Sequence, residues 1–269
     1  MTRQKLLFCS VATVLLLGIV SVMHLWAKST EATPKADGAP RTPVLMELFT
    51  SEGCSDCPPA DALLEKLDRS QPVNGAEVVV LSEHVDYWNG IGWKDPYSSH
   101  QYSERQNAYA GQFGLGSVYT PQMVVDGQYE FVGSDERRAI RAIENVVKEE
   151  KIPVSLSSVR LDGGNVVSLH IDASQLPPSA ASSANVLIAI ADERDESHVG
   201  GGENGGRTLR HVAVLRSLTR VGTVDQSGEF SKDVKINVNR GNGNLRIIAI
   251  VQEMTAGRIL GVGSTRLSN

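Results

Sequence analysis

The fold is organised around residues 44–61, which read VLMELFTSEGCSDCPPAD. The mostly apolar run at residues 44–50 predicts a buried strand. Gly53 supplies a turn, and the prolines that follow are typical of a helix start, where a missing N–H group is tolerated. One apolar helical face then continues at Ala60, Leu63, Leu64 and Leu67. The spacing therefore places Cys54 and Cys57 where a strand meets a helix, and the helix N-terminus favours the thiolate of Cys54.

The two cysteines form a Cys-x-x-Cys motif, which at a strand-to-helix junction is typical of a redox-active dithiol. The alternative is half of a zinc site, which requires further ligands. The chain contains three cysteines, and the third is the distant Cys9, so the sequence holds no second Cys pair. The lack of a second Cys pair in the sequence favours a redox-active dithiol over a zinc site. We therefore expect no metal and no cofactor other than a redox-active disulfide between Cys54 and Cys57.

The N-terminal residues predict a targeting element. Arg3 and Lys5 precede an apolar run at residues 6–27, which is long enough to span a bilayer. We therefore expect a signal peptide or membrane anchor at residues 1–28, followed by a linker at residues 29–42 that is rich in Ala, Thr, Pro and Lys. The rest of the protein is expected to be exported, periplasmic or secreted, where dithiols can be oxidised, and to meet the membrane through this segment alone.

The composition is that of an ordinary folded protein. The chain has 269 residues, 41% of them hydrophobic, and a net charge of −5. This length allows one or two domains and is sufficient to bury a sizeable core. No basic patch stands out, so a nucleic acid is not an expected partner.

The segments after the dithiol continue an α/β pattern. Residues 77–82 predict a second buried strand, which is parallel to the first because a helix connects the two. Asp126-Gly127 predicts a hairpin, and an apolar helical face follows at residues 134–150. This order predicts a thioredoxin-like domain at residues 43–151, in which Pro121 would be the cis-proline that faces the dithiol.

An aromatic segment at residues 84–97 interrupts this pattern. It contains two tryptophans, Trp88 and Trp93, and two tyrosines. Aromatic residues on a loop either mark a recognition surface or cover the core as a lid. We take Trp88, Trp93, His84 and Thr120 as candidate substrate-binding residues.

From residue 152 onward the pattern changes to short alternating strands separated by turn signals. Candidate strands lie at residues 154–161, 166–171, 186–191, 209–215, 230–238, 245–252 and 259–265. Seven short candidate strands predict an all-β, Ig-like sandwich domain at residues 152–269. The sequence therefore predicts a thioredoxin-like α/β domain followed by a β-sandwich domain.

Separate motifs along the chain resemble those of a known family. Besides the dithiol stretch they are His84-Val85-Asp86-Tyr87-Trp88, Gly92-Trp93-Lys94-Asp95-Pro96, Val118-Tyr119-Thr120-Pro121-Gln122-Met123-Val124-Val125, and Gly202-Glu203-Asn204 with Gly206-Arg207-Thr208-Leu209 and His211. The chain is similar to a family of exported bacterial thioredoxin-like proteins catalogued as a domain of unknown function. The resemblance implies a thioredoxin-like domain, Cys54 and Cys57 as the redox pair, and Pro121 as the cis-proline. It gives no substrate.

The first functional hypothesis is an extracytoplasmic thiol–disulfide oxidoreductase. Its substrate is a protein or a small thiol or disulfide, and its electron donor is unidentified. Cys54 attacks as the exposed thiolate, and Cys57 resolves the mixed disulfide. Glu47 or Glu52 assists proton transfer to Cys57, and Glu47 is the stronger candidate, because a carboxylate on a buried strand is costly unless it is used or paired. The alternative for Glu47 is a solvent-facing strand end.

Two other classes of function stay open. One is a copper(I) metallochaperone with Cys54, Cys57 and His84 as ligands, since thiolates suit copper(I). The other is a non-catalytic protein-binding module with a vestigial dithiol. The isolated Cys pair and the Thr-Pro dipeptide ahead of the hairpin favour the first hypothesis.

A glycine-rich loop at residues 199–207 separates two of the predicted strands. It lacks the following helix that a phosphate-binding loop needs. Its charged pair, Glu203 and Arg207, predicts instead an interdomain contact with the aromatic segment, in which Arg207 pairs with Asp86 or Asp95 or stacks on a tryptophan. The histidines around this loop lack the spacing of metal ligands and are expected to be ordinary core or surface residues.

Overall fold

Residues 40–163, 165–176, 184–224, 227–238, 244–254 and 256–267 are described by the computed structural model. Within these ranges the chain forms three helices and eleven strands. In chain order they are β1 (Thr42–Thr50), α1 (Pro58–Ser70), β2 (Ala76–His84), α2 (His100–Phe113), β3 (Gln122–Val125), β4 (Tyr129–Val132), α3 (Glu136–Val146), β5 (Val154–Asp162), β6 (Val166–Ala173), β7 (Ala184–His198), β8 (Thr208–Thr223), β9 (Phe230–Asn237), β10 (Leu245–Glu253) and β11 (Ile259–Leu267). The predicted signal peptide or anchor and most of the predicted linker lie outside the described residues. No helix in the described ranges is long and apolar enough to cross a membrane.

The described strands form a large and a small sheet. The large sheet has the strand order β11-β10-β7-β8-β2-β1-β3-β4, and the small sheet has the order β5-β6-β9. β1 pairs in parallel with β2 and antiparallel with β3. α1 supplies the crossover that a parallel pair requires. All residues of β1 from Val44 to Thr50 are buried, so both of its faces are covered.

α1 begins directly after the second cysteine of the dithiol motif. Cys57 is the N-cap, and prolines occupy the first helical positions, as predicted. The buried face consists of Ala60, Asp61, Leu63, Leu64 and Leu67. The apolar members pack on Met46 and Leu48 of β1 in the main core. Gln71 ends the helix in the left-handed conformation.

The predicted fold class, a thioredoxin-like α/β domain followed by an Ig-like sandwich domain, is wrong. The described part of the fold is mostly β, and strands from both halves of the chain share the large sheet. β7, β8, β10 and β11 continue the sheet that contains β1 to β4, with β8 joined to β2 at the pair Ser82 and Val214. β5, β6 and β9 form the small sheet, which covers one face of this extension.

Burial on both faces explains why a sandwich does not form. β10 is buried at every position from Leu245 to Gln252. Ile248 and Ile250 belong to the core shared with α1 and β1, whereas Ile247 and Ala249 belong to the core beneath the small sheet. Each sheet of a sandwich has one face in solvent, but a strand covered on both faces must lie inside a layered fold. Each predicted strand coincides with an observed strand, but β7 and β8 extend far beyond the predicted residues 186–191 and 209–215, and the pairing of the strands differs from a sandwich.

Candidate functional site

Cys54 and Cys57 form a disulfide at the start of α1. The helix begins one residue after Cys57, so this cysteine, and not Cys54, occupies the N-cap. Pro58 and Pro59 have no N–H, and the N–H groups of Ala60 and Asp61 donate to the Cys57 carbonyl at 2.8 and 3.1 Å. The helix therefore stabilises a thiolate through its dipole more than through free N–H groups. Cys54, predicted to be exposed, is only 2% exposed in the oxidised protein.

The cis-proline predicted from the sequence is present. The Thr120–Pro121 peptide bond is cis, and β3 begins at the next residue. A Cβ atom added to Gly133 would lie 3.1 Å from the Cβ atoms of both Pro121 and Ala60. Pro121 therefore packs beside Ala60 in the first turn of α1, the helix that begins directly after Cys57.

The aromatic segment joins the dithiol loop to the proline. Trp88 donates from Nε1 to Thr120 Oγ1 at 2.8 Å, and its Cβ would lie 3.2 Å from a Cβ on Gly53. Trp93 donates from Nε1 to Glu52 Oε2 at 2.8 Å. At the rim of the same segment Tyr87 is 43% exposed. The segment therefore covers the dithiol loop with its tryptophans, as a lid would, and presents apolar surface at its edge.

His84, the fourth predicted substrate-binding residue, lies in the interior. It is fully buried, and its Nδ1 lies 2.7 Å from Asp95 Oδ2. The same carboxylate oxygen accepts the backbone N–H of Glu52 at 2.8 Å. His84 therefore holds the dithiol loop in place through Asp95. A direct contact between His84 and a substrate stays a prediction.

Glu47 lies on the far side of β1 from the disulfide helix. Its carboxylate is 2.5 Å from Arg105 Nη2 and accepts the Tyr109 hydroxyl at 2.5 Å, both on α2. The next residue, Leu48, faces α1, and successive residues of a strand point to opposite faces. Glu47 is therefore a buried and paired carboxylate, which accounts for its place on a buried strand without a catalytic role.

The loop between β7 and β8, residues 199–207, contacts the dithiol motif itself. Glu203 Oε2 accepts the backbone N–H of Ser55 at 3.0 Å. Asn204 is fully buried, and its Nδ2 donates to the carbonyls of Glu52 and Cys54 at 2.9 and 2.8 Å. Sequence reasoning missed Asn204, although the residue stands inside a quoted motif.

Arg207 has a different partner from the predicted ones. Its Nη1 donates to Asn204 Oδ1 at 2.7 Å, within its own loop. The predicted partners of Arg207 were Asp86, Asp95 or a tryptophan of the aromatic segment. The contact between the loop and the aromatic segment is made by glycines instead. A Cβ on Gly200 would lie 2.9 Å from Trp93 Cζ3, and one on Gly201 would lie 2.5 Å from the Gly92 carbonyl oxygen. The glycines thus allow a close approach that larger residues would prevent.

A buried polar cluster lies behind the disulfide, where these segments meet. Glu52 Oε1 accepts the Ser197 hydroxyl and lies 3.3 Å from His211 Nε2. His211 Nδ1 lies 3.7 Å from Asp61 Oδ1. The rings of His211 and His84 meet edge to face, with centroids 4.6 Å apart. The predicted assignment of His211 as an ordinary residue overlooked this cluster, because its members are far apart in sequence.

The cluster is strongly charged. Burial lowers the pKa of His211, but the nearby carboxylates of Asp61 and Glu52 outweigh burial and raise this pKa to about 10. Burial raises the pKa of Glu52, but hydrogen bonds from His211, Ser197 and Trp93 bring it below its usual range. Burial also raises the pKa of Asp95, but the charge and hydrogen bond of His84 outweigh that effect and lower it. At neutral pH the cluster therefore contains an imidazolium between carboxylates.

Across the described residues, no group of three or more His, Cys, Asp or Glu side chains has an arrangement that would hold a metal ion. His84, the third ligand of the copper(I) hypothesis, is engaged with Asp95 at 2.7 Å. The copper(I) function stays a prediction that this geometry does not favour.

The comparisons with known proteins identify a family of unknown function and solved structures with a similar fold. A family model described as "Protein of unknown function (DUF1223)" matches residues 45–252. A crystal structure of a protein from Agrobacterium tumefaciens, solved by a structural genomics consortium, is 26% identical with a TM-score of 0.65, and the alignment covers 86% of this chain and 96% of that one. HBP35 of Porphyromonas gingivalis is 15% identical with a TM-score of 0.61, covering 85% of this chain and 76% of that one, which is a likeness of fold alone. No curated protein matches the chain.

Proposed function

We propose that this chain, which belongs to the DUF1223 family of proteins of unknown function, is a thiol–disulfide oxidoreductase that works through Cys54 and Cys57. The observation that carries the proposal is the disulfide between these residues at the start of α1, beside the cis-proline Pro121. A bridge that closes so short a loop restricts the unfolded chain by only about 2 kcal/mol. Stapling the fold is therefore a weak reason for the disulfide, and electron transfer is a better one.

The proposed reaction exchanges one disulfide for another. In the oxidising direction a substrate thiolate attacks Cys54 Sγ, the Cys54–Cys57 bond breaks, and Cys57 leaves as a thiolate that takes up a proton. A second substrate thiolate then attacks the substrate sulfur of the mixed disulfide, and Cys54 leaves. The substrate loses two electrons and the protein gains them. The reducing direction is the same sequence in reverse.

Access to Cys54 is expected to require movement of the loop at residues 199–207. A nucleophile must approach in line with the sulfur–sulfur bond, and Cys54 is only 2% exposed. The loop is bonded to the backbone on both sides of this cysteine, through Asn204 to the Glu52 carbonyl before it and through Asn204 and Glu203 to the peptide group after it. Exposed apolar side chains at the rim, Tyr87 and Ile91, would then contact the substrate.

The apolar run at residues 6–27 and the disulfide support a location outside the cytoplasm. We place the protein in the periplasm or among secreted proteins, attached to the membrane if the N-terminal segment is retained. The substrate class is a thiol or disulfide, carried by a protein or a small molecule.

The test uses the full chain with Cys9→Ser, so that Cys54 and Cys57 are its remaining cysteines. The protein is incubated with a reduced peptide that carries two thiols, and peptide oxidation is followed by mass spectrometry. We expect Cys54→Ser to abolish the reaction. In the reverse direction, Cys57→Ser is mixed with the same peptide in its disulfide form, and we expect a mixed disulfide between Cys54 and the peptide to accumulate, because Cys54 attacks the peptide disulfide and no resolving thiol follows. Oxidation at the same rate with Cys54→Ser, or no adduct with Cys57→Ser, would refute the function.

A further inference from the structure

Asp61 and His211 have no part in the reaction as written, yet both are buried beside the disulfide helix. Asp61 lies on the buried face of α1, and His211 lies on β8 with its side chain 1% exposed. His211 Nδ1 faces Asp61 Oδ1 at 3.7 Å, while its Nε2 faces Glu52 Oε1 at 3.3 Å. Within the described structure, Asp61 Oδ1 has no hydrogen-bond partner. A buried carboxylate oxygen that forms no hydrogen bond is rare in folded proteins and requires an explanation.

The position of Asp61 on α1 is suited to proton exchange with the Cys57 thiol. Its N–H donates to the Cys57 carbonyl at 3.1 Å, so the two residues are one helical turn apart on the same face. A side chain in a helix leans toward the helix N-terminus and covers the turn before it. The Asp61 carboxylate therefore leans back toward Cys57, which is itself fully buried. A buried thiol needs a buried group to exchange its proton, because water does not reach it.

The other carboxylates near the disulfide are less suited to this task. Glu47 is on the opposite face of β1 and is paired with Arg105. Glu52 already accepts Trp93 on one oxygen and Ser197 on the other. Asp61 thus combines burial, position on the helix of Cys57 and a carboxylate oxygen that forms no hydrogen bond and faces His211 across a long ion pair of 3.7 Å.

His211 is held between acids on several sides. Glu52 and Asp61 face its two nitrogens, the His84 ring with its partner Asp95 lies against it, and the Tyr97 ring centroid is 5.7 Å away. Beyond Tyr97 stands Arg216, which is itself paired with Asp192 and Asp195. Because carboxylates dominate these surroundings, His211 carries its proton at neutral pH, in line with the rise of its pKa to about 10.

We propose that Asp61 carries the proton exchanged by Cys57 and that His211 positions the Asp61 carboxylate. When Cys57 attacks a mixed disulfide on Cys54, the proton leaves its thiol for Asp61 Oδ1, the Cys54–Cys57 bond forms and the substrate leaves as a thiolate. In the oxidising direction the same proton returns from Asp61 to Cys57. The imidazolium of His211 fixes the carboxylate and compensates its charge. This inference rests on the proposed oxidoreductase function.

The experiment separates the two chemical steps. The reduced full chain with Cys9→Ser reacts in stopped flow with a chromogenic aromatic disulfide, which releases one coloured thiolate when Cys54 attacks and a second when Cys57 resolves. The variants are Asp61→Asn, Asp61→Glu and His211→Gln. The matched control is Glu65→Gln, which neutralises a carboxylate on the same helix that is bonded to the partly exposed Arg194.

We expect Asp61→Asn to slow the second phase at least about ten-fold near neutral pH, as loss of a general base does, and to change the first phase less than about two-fold. The midpoint of the second phase against pH should rise toward the ordinary thiol value of about 8.5. His211→Gln should slow the second phase in the same direction, by about three-fold or more. Asp61→Glu should restore the wild-type midpoint, and Glu65→Gln should leave both phases unchanged.

An unchanged second phase and midpoint in Asp61→Asn would overturn the inference, as would an equal shift in Glu65→Gln. If Asp61→Asn does not fold, the test rests on His211→Gln. An unchanged rate of the second phase against pH in His211→Gln contradicts the proposal. Failure of the oxidoreductase function gives a different result. In that case the wild-type protein itself shows no first phase, or a first phase without a second.

Discussion

Replacing Asn204 by alanine tests how the loop at residues 199–207 is held over the dithiol. The Asn204 side chain donates to the carbonyls of Glu52 and Cys54 at 2.9 and 2.8 Å and accepts from Arg207 at 2.7 Å. Asn204 is fully buried. Asn204→Ala therefore leaves the Glu52 carbonyl and one guanidinium N–H without this partner, whereas the Cys54 carbonyl loses one of two donors and keeps the Cys57 N–H at 3.2 Å.

The magnitude follows from those three lost contacts. A buried polar group left unsatisfied costs about 1–3 kcal/mol and one lost hydrogen bond about 0.5–1.5 kcal/mol, so the Glu52 and Cys54 carbonyls together set a range of about 1.5–4.5 kcal/mol. Arg207 is exposed and recovers its hydrogen bond from water, and water enters as the loop relaxes. We therefore expect a loss near the lower end, about 2–3 kcal/mol of unfolding free energy. The same release should expose Cys54 and speed its reduction by a small thiol several-fold.

The assay is urea unfolding of the oxidised protein, followed by circular dichroism, with the reduction rate measured in parallel. Asn107→Ala is the matched control, because Asn107 is exposed on α2 and its removal should change stability by no more than about 0.5 kcal/mol. Arg207→Ala should cost about 1 kcal/mol, the value of one hydrogen bond. A loss below about 0.5 kcal/mol for Asn204→Ala, with an unchanged reduction rate, would refute the docked loop.

Three further predictions concern the interior. The pKa of His211 rises from 6.5 to about 10 on folding, so protonated His211 should stabilise the folded protein fully below pH 6.5 and lose this effect as the pH rises toward 10. The free energy of unfolding in urea, measured against pH, should fall over this range, and His211→Gln should remove the fall. Gly133→Ala places a Cβ 2.7 Å from Leu48 Cδ1, which should cost about 1–3 kcal/mol by overpacking; a neutral change in melting temperature would contradict the contact. Arg105→Leu leaves Glu47 buried without its ion pair and should cost about 3–5 kcal/mol in urea unfolding; a loss under about 1 kcal/mol would mean that Glu47 is solvated.

The local structure around the dithiol could be predicted from the sequence because its signals are local. The apolar run of β1, the prolines after Cys57 and the apolar spacing of α1 each specify one element. The cis peptide bond at Pro121 was implied by the family resemblance, because a Thr-Pro dipeptide by itself does not indicate a cis bond. The strands after residue 152 were likewise placed by their alternation and turns.

The pairing of those strands could not be predicted, because it depends on contacts between residues far apart in the chain. β8 meets β2 through Ser82 and Val214, and no short-range pattern marks either residue as a junction. The continuous burial of β10 contains a partial signal, since a run of apolar residues without alternation indicates cover on both faces. That signal favours the large sheet over a sandwich.

In the candidate site, too, local features could be predicted from the sequence, whereas contacts between distant residues could not. Cys54 and Cys57 follow from their spacing, whereas Glu47 was selected because a buried carboxylate must be used or paired, and sequence cannot distinguish the two. Its partner Arg105 lies on another element, so only the three-dimensional structure identifies Glu47 as paired. Asn204 and His211 are brought to the dithiol because β8 pairs with β2, two strands that the sandwich prediction placed in different domains.

The reduction potential of the Cys54–Cys57 pair tests the central claim most directly. The full chain with Cys9→Ser is equilibrated in glutathione buffers, the thiols are trapped by alkylation and the fraction reduced is read by mass. The account predicts a reversible two-electron transition between about −120 and −270 mV, the range of catalytic dithiols, with the circular dichroism spectrum retained on reduction. A potential below about −300 mV, or reduction only on unfolding, would identify a structural disulfide and contradict the claim.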